Sequence, residues 1–358
     1  MIYIIVLFLN LQCASTQRNP MNIRYLLSIW RTIKMPGLWL VMRDWIPLLR
    51  MHFLYTATES GLLMALRTGA TRDTLIDKLD VKRPELLDAI LDMGLALKEL
   101  SLRGAVFSLR GRRSKVLATM DSDALAAVIQ ANVTYYNEAY RNFASRMRGA
   151  PLGDNLDEIG ETVARFSKIA EPFLGSFIKS LIPQSGPVEM MDVGCGSGFV
   201  LKSAWKANPK AGGIGIEIDE KVAAQAKENL KNWGLADRFS ILIGDIRSQA
   251  DAHHGGLDLI TAFNLVYYVP VVERPTFFSD LRSLLRPKGC LALANNFQSQ
   301  GIDAAAANLN IVNCSLNGIT ALPDLKTIKK QLAACGFSRI QTTRFMPRSE
   351  FHGVTAYA

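Results

Sequence analysis

The chain has 358 residues, 49% of them apolar, and a formal net charge of +9 at pH 7. That is enough for two domains with cores of their own, and it excludes a disordered, collagenous or disulfide-stapled chain. The five cysteines (13, 195, 290, 314 and 335) are odd in number and lack C-x-x-C spacing, which gives no zinc signature and suits a reducing compartment.

Met1 to Leu11 is almost wholly apolar, but it is about half of the roughly twenty residues a membrane span needs. No Lys or Arg precedes it, so it lacks the n-region of a secretory signal, and Cys13-Ala14-Ser15 is a poor cleavage site. The preferred reading takes Met21 as the start and 1–20 as an upstream extension. A short membrane-dipping anchor comes second and a signal peptide third. In residues 22–51, Trp30, Trp39 and Trp45 alternate with Arg24, Arg31, Lys34, Arg43 and Arg50. Such a pattern suits peripheral contact with a membrane surface. The favoured alternative buries these aromatics in a dimer interface. Pro36 and Pro47 predict a break into short helices.

Residues 52–115 read as a winged helix. Glu59–Leu66 is a helix with an apolar face. Gly69-Ala-Thr71 ends it, and Thr71 caps a second helix, Arg72–Leu79. A third runs from Arg83 to Gly94, and two short strands flank Arg103-Gly104. Winged helices also bind DNA, and residues 1–150 are basic, with 20 Lys+Arg against 12 Asp+Glu. The would-be recognition helix, however, carries Glu85, Asp88 and Asp92, which would repel phosphates. DNA is therefore disfavoured as a partner. Arg110, Arg112, Arg113 and Lys115 then form a solvated or anion-facing rim. From Asp121 to Pro183 the pattern is helical, with Tyr135, Tyr136, Tyr140 and Phe143 on one or two faces.

The most informative stretch is 189–198, Glu-Met-Met-Asp-Val-Gly-Cys-Gly-Ser-Gly. An apolar run ends in Asp192, glycines follow at 194, 196 and 198, and a helical stretch begins at Phe199. This is a strand, a glycine turn and a helix, the nucleotide-binding arrangement of an α/β unit. A second apolar run closes on Glu217, where an acid accepts hydrogen bonds from ribose hydroxyls. Asp219 is the predicted N-cap of a helix over Glu220–Trp233. A third run, Phe239–Ile243, ends in Gly244-Asp245-Ile246, and a fourth, Leu257–Phe263, leads into Asn264. A fifth, Cys290–Ala294, follows the turn Arg286-Pro-Lys-Gly289, and the tail predicts a closing antiparallel hairpin.

The G-x-G-x-G loop preceded by an acid resembles motif I of the class I S-adenosylmethionine (SAM)-dependent methyltransferases, and Arg286–Gly289 resembles their "LKPGG" turn. The resemblance covers roughly residues 155–358. The N-terminal order is similar to the dimerisation domain of small-molecule O-methyltransferases. It implies an α/β fold: a Rossmann-like seven-stranded sheet, antiparallel at its last strand, behind a mainly α winged-helix domain. The implied divisions are 1–20, 21–120 (a homodimerisation domain), 121–183 (a helical linker and pocket wall) and 184–358. An NAD-dependent oxidoreductase is the rival, since Glu217 would suit that ribose too. It fails on Phe199, where the dinucleotide fingerprint needs glycine.

The resemblance further implies that SAM is the cofactor. Asp192 would face its ammonium, Gly194, Gly196 and Gly198 cradle it, and Glu217 hold the ribose. Asp245 would hold the adenine, Ile246 pack on its ring, and Asn264 border the site. No metal is expected. Methyl transfer goes to a small molecule, at oxygen first and at nitrogen or carbon as alternatives. A non-catalytic SAM-binding protein and a winged-helix regulator remain as other classes. Plant-type relatives place a His-Asp pair just after the fourth strand, whereas this chain reads Asn264-Leu-Val-Tyr-Tyr-Val-Pro270. Tyr267 and Tyr268 are thus the candidate catalytic residues, to orient the acceptor or take its proton. His52, His253, His254 and His352 are expected to be dispensable, and Cys195 to be a small residue packed under the loop. Residues 299–322 are expected to fold over the acceptor. A SAM-dependent enzyme belongs in the cytoplasm, with any membrane contact made through the N-terminus.

Overall fold

A computed structural model describes residues 35–119, 121–154, 156–246 and 255–358. The readings of residues 1–34, and of His253 and His254, lie outside the described residues. The chain divides into two compact units, Met1–Ile129 and Gln130–Ala358.

In the first unit a long helix α1 (Met35–Glu59) is followed by a single turn α2 (Leu62–Ala65). Pro47 lies inside α1 rather than ending it, which corrects the expected break. One lost backbone bond is outweighed by the downstream turns, which bury Phe53, Leu54 and Ala57. The helix expected over 59–66 shrinks to that one turn, because Gly61 takes a left-handed φ of 73° between α1 and α2. Strand β1 (Ala70–Thr71), helices α3 (Arg72–Lys78) and α4 (Pro84–Ala96), and strands β2 (Leu100–Arg103) and β3 (Val106–Leu109) follow. The sheet has three strands, in the order β1-β3-β2, one more than the sequence suggested. The Thr71 hydroxyl does cap α3, accepting from the Thr74 N–H. Helix α5 (Arg112–Leu117) packs on this core and holds three of the four basic residues expected at a rim. Buried Glu99 accepts from the Ser114 hydroxyl at 2.7 Å and faces Arg50 at 3.1 Å.

Helix α6 (Asp123–Ala131) leads into the second unit. One π-helical turn, Asn132–Tyr136, joins it to α7 (Asn137–Met147). Then come α8 (Leu156–Ser167) and α9 (Glu171–Leu181). The central sheet contains β4 (Val188–Val193), β5 (Ala211–Glu217), β6 (Phe239–Ile243), β7 (Leu257–Phe263), β8 (Leu285–Asn296), β9 (Ser338–Arg344) and β10 (Phe351–Tyr357). Its order is β6-β5-β4-β7-β8-β10-β9. The first five strands in that order run parallel, and β10 is antiparallel to both neighbours. The turn expected at Arg286–Gly289 is absorbed into β8, where Lys288 takes a positive φ of 69° and the register against β7 slips.

Strand alternation splits the core between two faces. Met190 joins a cluster with α9, α10 (Phe199–Ala207) and α11 (Glu220–Asn232). Met191 and Val193 join one with α12 (Arg274–Leu284) and α14 (Leu325–Ala334). Helices thus cover both faces of a mostly parallel sheet, and ligands of such sheets sit at the carboxyl ends of the strands. The segment expected to cover the acceptor contains a helix not read from the sequence, α13 (Ala304–Asn313). Its Val312 packs with Tyr135, Tyr136 and Leu316. Among the described residues no helix is long and apolar enough to cross a membrane.

Candidate functional site

At the carboxyl end of β4 the chain makes its glycine turn. Gly194, Gly196 and Gly198 all have positive φ, of 70°, 52° and 80°. At Gly194 the left-handed backbone disfavours any side chain, and a Cβ would lie 2.9 Å from Leu265 Cδ1, which would have to move. The turn is pinned to β5: the Gly194 and Cys195 N–H groups donate to the Ile216 carbonyl at 2.9 and 3.0 Å. The Gly196 N–H donates to Glu217 Oε2 at 3.0 Å, and Glu217 Oε1 accepts from the N–H groups of Ile218 and Asp219. Three backbone donors thus fix the carboxylate where it lines the cavity. Asp219 caps α11 as expected.

Asp192 lies beneath the turn and is 1% exposed. Its Oδ1 accepts from the Thr261 hydroxyl at 2.6 Å, and its Oδ2 has no partner. Burial pushes the Asp192 carboxyl up to about 7, against the opposing pull of the Thr261 bond. Cys195 is buried, and its sulfur packs so closely that a Cβ on Gly215 would lie 2.8 Å from it. Burial raises its thiol well above the ordinary range, so it is an inert packing group.

A cavity of about 360 Å³ opens beside this turn. It brings together Gly194, Glu217, Asp245, Ile246 and Tyr268 of the residues singled out from the sequence. Asp192, Gly196, Gly198, Asn264 and Tyr267 do not line it. Asn264 sits at the end of β7 with a left-handed φ of 51°, its N–H bonded to the Ala294 carbonyl and its Oδ1 buried without a partner. Tyr267 and Tyr268 form one short turn with ring centroids 5.0 Å apart. Burial, then neighbouring phenols in the case of Tyr267 and Glu217 in that of Tyr268, raise both hydroxyls above their ordinary pKa. Neither is a base near neutral pH, and both remain O–H donors.

The sequence reading missed several participants. Thr261, the only hydroxyl in the apolar run of β7, could have been noticed on that ground. Ile218, Leu265, Phe277 and Glu273 line the cavity without any motif to mark them. Arg274 is 3% exposed, though an arginine opening a helix reads as solvated. Its Nε donates to the Val269 carbonyl at 3.2 Å, and its Nη2 to Thr320 Oγ1 at 2.7 Å. Thr320 in turn donates its N–H and its hydroxyl to the Tyr267 carbonyl at 2.8 and 2.9 Å.

The site suits SAM on two counts. Beneath the glycine turn, outside the lining of the cavity itself, an unpartnered buried carboxylate oxygen is the counter-charge that an ammonium requires. The cradle, with acids at the ends of β5 and β6 and an aliphatic floor from Ile246, fits a nucleoside.

Comparison with known proteins agrees with this geometry. Residues 190–289 match the family described as "Methyltransferase domain". A tRNA1(Val) (adenine(37)-N6)-methyltransferase of Yersinia enterocolitica is 30% identical over 99 residues, which is 27% of this chain and 39% of that protein. The chain spans less than half the length of the curated relatives it matches. The solved mitomycin 7-O-methyltransferase aligns over 94% of this chain and 100% of its own, with a TM-score of 0.73 and 16% identity. Human N-acetylserotonin methyltransferase, solved in complex with SAM, aligns over 90% and 98% with a TM-score of 0.69 and 13% identity. Residues 190–289 thus match a methyltransferase domain, within a fold shared with these solved methyltransferases.

Proposed function

We propose that the second unit binds SAM and directs transfer of its methyl group to a small-molecule acceptor. The observation that carries this reading is Asp192, a carboxylate buried to 1% exposure with one oxygen unpartnered beneath the glycine turn. A carboxylate in that setting is costly unless a cation meets it. Glu217 and Asp245 at the next two strand ends give the cavity beside that turn the acceptors that a ribose and an adenine amino group require.

When bound, the cofactor supplies a methyl group made electrophilic by its sulfonium. The chain supplies position and electrostatics. Asp192 neutralises the ammonium, Glu217 fixes the ribose through a carboxylate already held by three N–H groups, and Ile246 and Leu265 exclude water. Tyr267 and Tyr268 keep their protons and orient the acceptor as donors. The linker helices and 299–322 form the acceptor wall. Their association is supported by the cluster of Tyr135, Tyr136, Val312 and Leu316, and by the Tyr140 hydroxyl donating to Asn308 Oδ1 at 2.9 Å. The first unit, by the same reading, is a winged-helix homodimerisation domain.

Calorimetry with SAM, its demethylated product and NAD tests the assignment. SAM and the product are expected to bind and NAD not to. Asp192→Ala and Glu217→Ala should each weaken SAM binding about ten-fold or more, the worth of a charge-assisted hydrogen bond. Tight NAD binding, or SAM binding indifferent to both substitutions, would sink it.

A further inference from the structure

Most charged groups buried among the described residues are matched. Glu99 faces Arg50, and Glu350 pairs with Arg344 at 3.1 Å and with His352 at 3.2 Å. Asp192 and Arg274 are the exceptions among the described residues. The proposal above assigns the first to the cofactor's ammonium. Among the described residues Arg274 has no carboxylate within ion-pair distance, and its bonds go to neutral oxygens, the Val269 carbonyl and the Thr320 hydroxyl. A guanidinium offers five donors and stays charged in proteins. Holding one at 3% exposure on neutral partners costs stability that an apolar side chain would not.

Its place in the fold says what the charge is for. Arg274 opens α12, the helix whose Thr276, Phe277 and Asp280 line the cofactor cavity. Its first partner, Val269, lines that cavity too. Its second, Thr320, belongs to 299–322 and bonds to the backbone of Tyr267. Arg274 does not itself line the cavity: its guanidinium stands behind Val269 of that lining and, through Thr320, ties the tyrosine turn to the acceptor segment.

We propose that Arg274 is the counter-charge for an acceptor that arrives as an oxyanion, a carboxylate or an enol acidic enough to be ionised in water, and that it selects this class over neutral phenols and amines. This rests on the methyltransferase reading above. The chemistry closes without a protein base: an oxyanion lone pair forms the O–CH₃ bond while the S–CH₃ bond breaks, the sulfonium becomes a neutral thioether, and no proton moves. That matches a site whose tyrosines keep their protons and whose cavity lining holds no histidine. The opposite charges of Asp192 and Arg274 then hold a cationic cofactor and an anionic acceptor.

The test is a binding comparison on the full chain loaded with the demethylated cofactor, using benzoate, its neutral isostere benzamide, and the cation benzylamine on the same ring as probes. Loading is measured first, so failure of the cofactor assignment is seen separately. Benzoate is expected to bind at least about ten-fold more tightly than benzamide, and benzylamine least. Arg274→Met should abolish the benzoate preference, with cofactor affinity and melting temperature no lower than in the parent. Thr320→Val, which keeps the charge, should retain it. Equal binding of benzoate and benzamide, a preference surviving in Arg274→Met, or no binding of any probe to the loaded protein would each overturn the proposal. So would a product methylated on nitrogen, when labelled SAM is incubated with the small-molecule fraction of a cell extract.

Discussion

At the scale of single residues, acids at strand ends carried most of the legible information. Asp192, Glu217 and Asp245 each close an apolar run, and a charge at that point is incompatible with the run continuing into the core. Thr261 and Arg274 were harder to see, because burial depends on what packs over a residue, and sequence position does not report that. Asp192 also has a consequence for pH. Its folded-state pKa is raised to about 7, above the ordinary carboxylate value. Its stabilising contribution in the cofactor-free protein is therefore complete below a pH of about 4 and is lost as pH rises through about 7. An ammonium beside it reverses the preference, so cofactor binding should release a proton. The affinity for SAM is expected to rise between pH 5.5 and 7, while the melting temperature of the free protein falls. In Asp192→Asn both slopes should flatten. Calorimetry and thermal melts across that range check this, and an unchanged slope in the variant would count against Asp192 as the titrating group.

At the scale of elements, the parallel strands were read to within a residue or two at their carboxyl ends, because the glycine turn and the terminal acids mark where each stops. The helical parts were read less well. Pro47 did not break α1, since packing of Phe53, Leu54 and Ala57 overrides a local penalty. The π turn at Asn132–Tyr136 had no signature, because it is one extra residue in an otherwise helical pattern. Its effect is to set the direction of Tyr135 and Tyr136, which meet edge to face at 4.7 Å against Val312 and Leu316. Thr134, whose hydroxyl bonds back to the Gln130 carbonyl at 2.7 Å, sits at its centre. Deleting Thr134 should restore regular winding and turn one side of the joint by about 100°. SAM affinity should fall far less than turnover, since no residue of the π turn lines the cavity. Acceptor turnover should be lost. Turnover surviving the deletion would show that the acceptor wall does not depend on the tyrosines' placement.

At the scale of the whole molecule, charge is spread unevenly along the chain. Residues 1–150 carry 20 basic and 12 acidic side chains, the remainder 21 and 20. Acids of α4 do not all stand free: Asp88 accepts a two-pronged bond from Arg72 at 2.6 and 2.8 Å, which lowers its pKa. Glu85 and Asp92 on the same helix still disfavour a phosphate backbone. The stronger feature is apolar. Val41, Trp45 and Leu48 recur on one face of α1, and Val41 and Leu48 are 69% and 54% exposed, with Leu40 beside them at 53%. Leu86, Val116 and Leu102 add exposed apolar surface on the same unit. Exposed apolar residues recurring along one helix face mark an interface, and a second copy of the chain is the simplest partner. We therefore expect a homodimer through residues 22–115, seen as the dimer mass in sedimentation at micromolar concentration. Val41→Glu with Leu48→Glu should give a monomer that still binds SAM, because neither residue lies in the unit that holds the cavity. A stable monomer of the parent protein would contradict the dimer. If that monomer also pelleted with anionic lipid vesicles, and the double substitution released it, the same face would instead be a membrane-contacting surface.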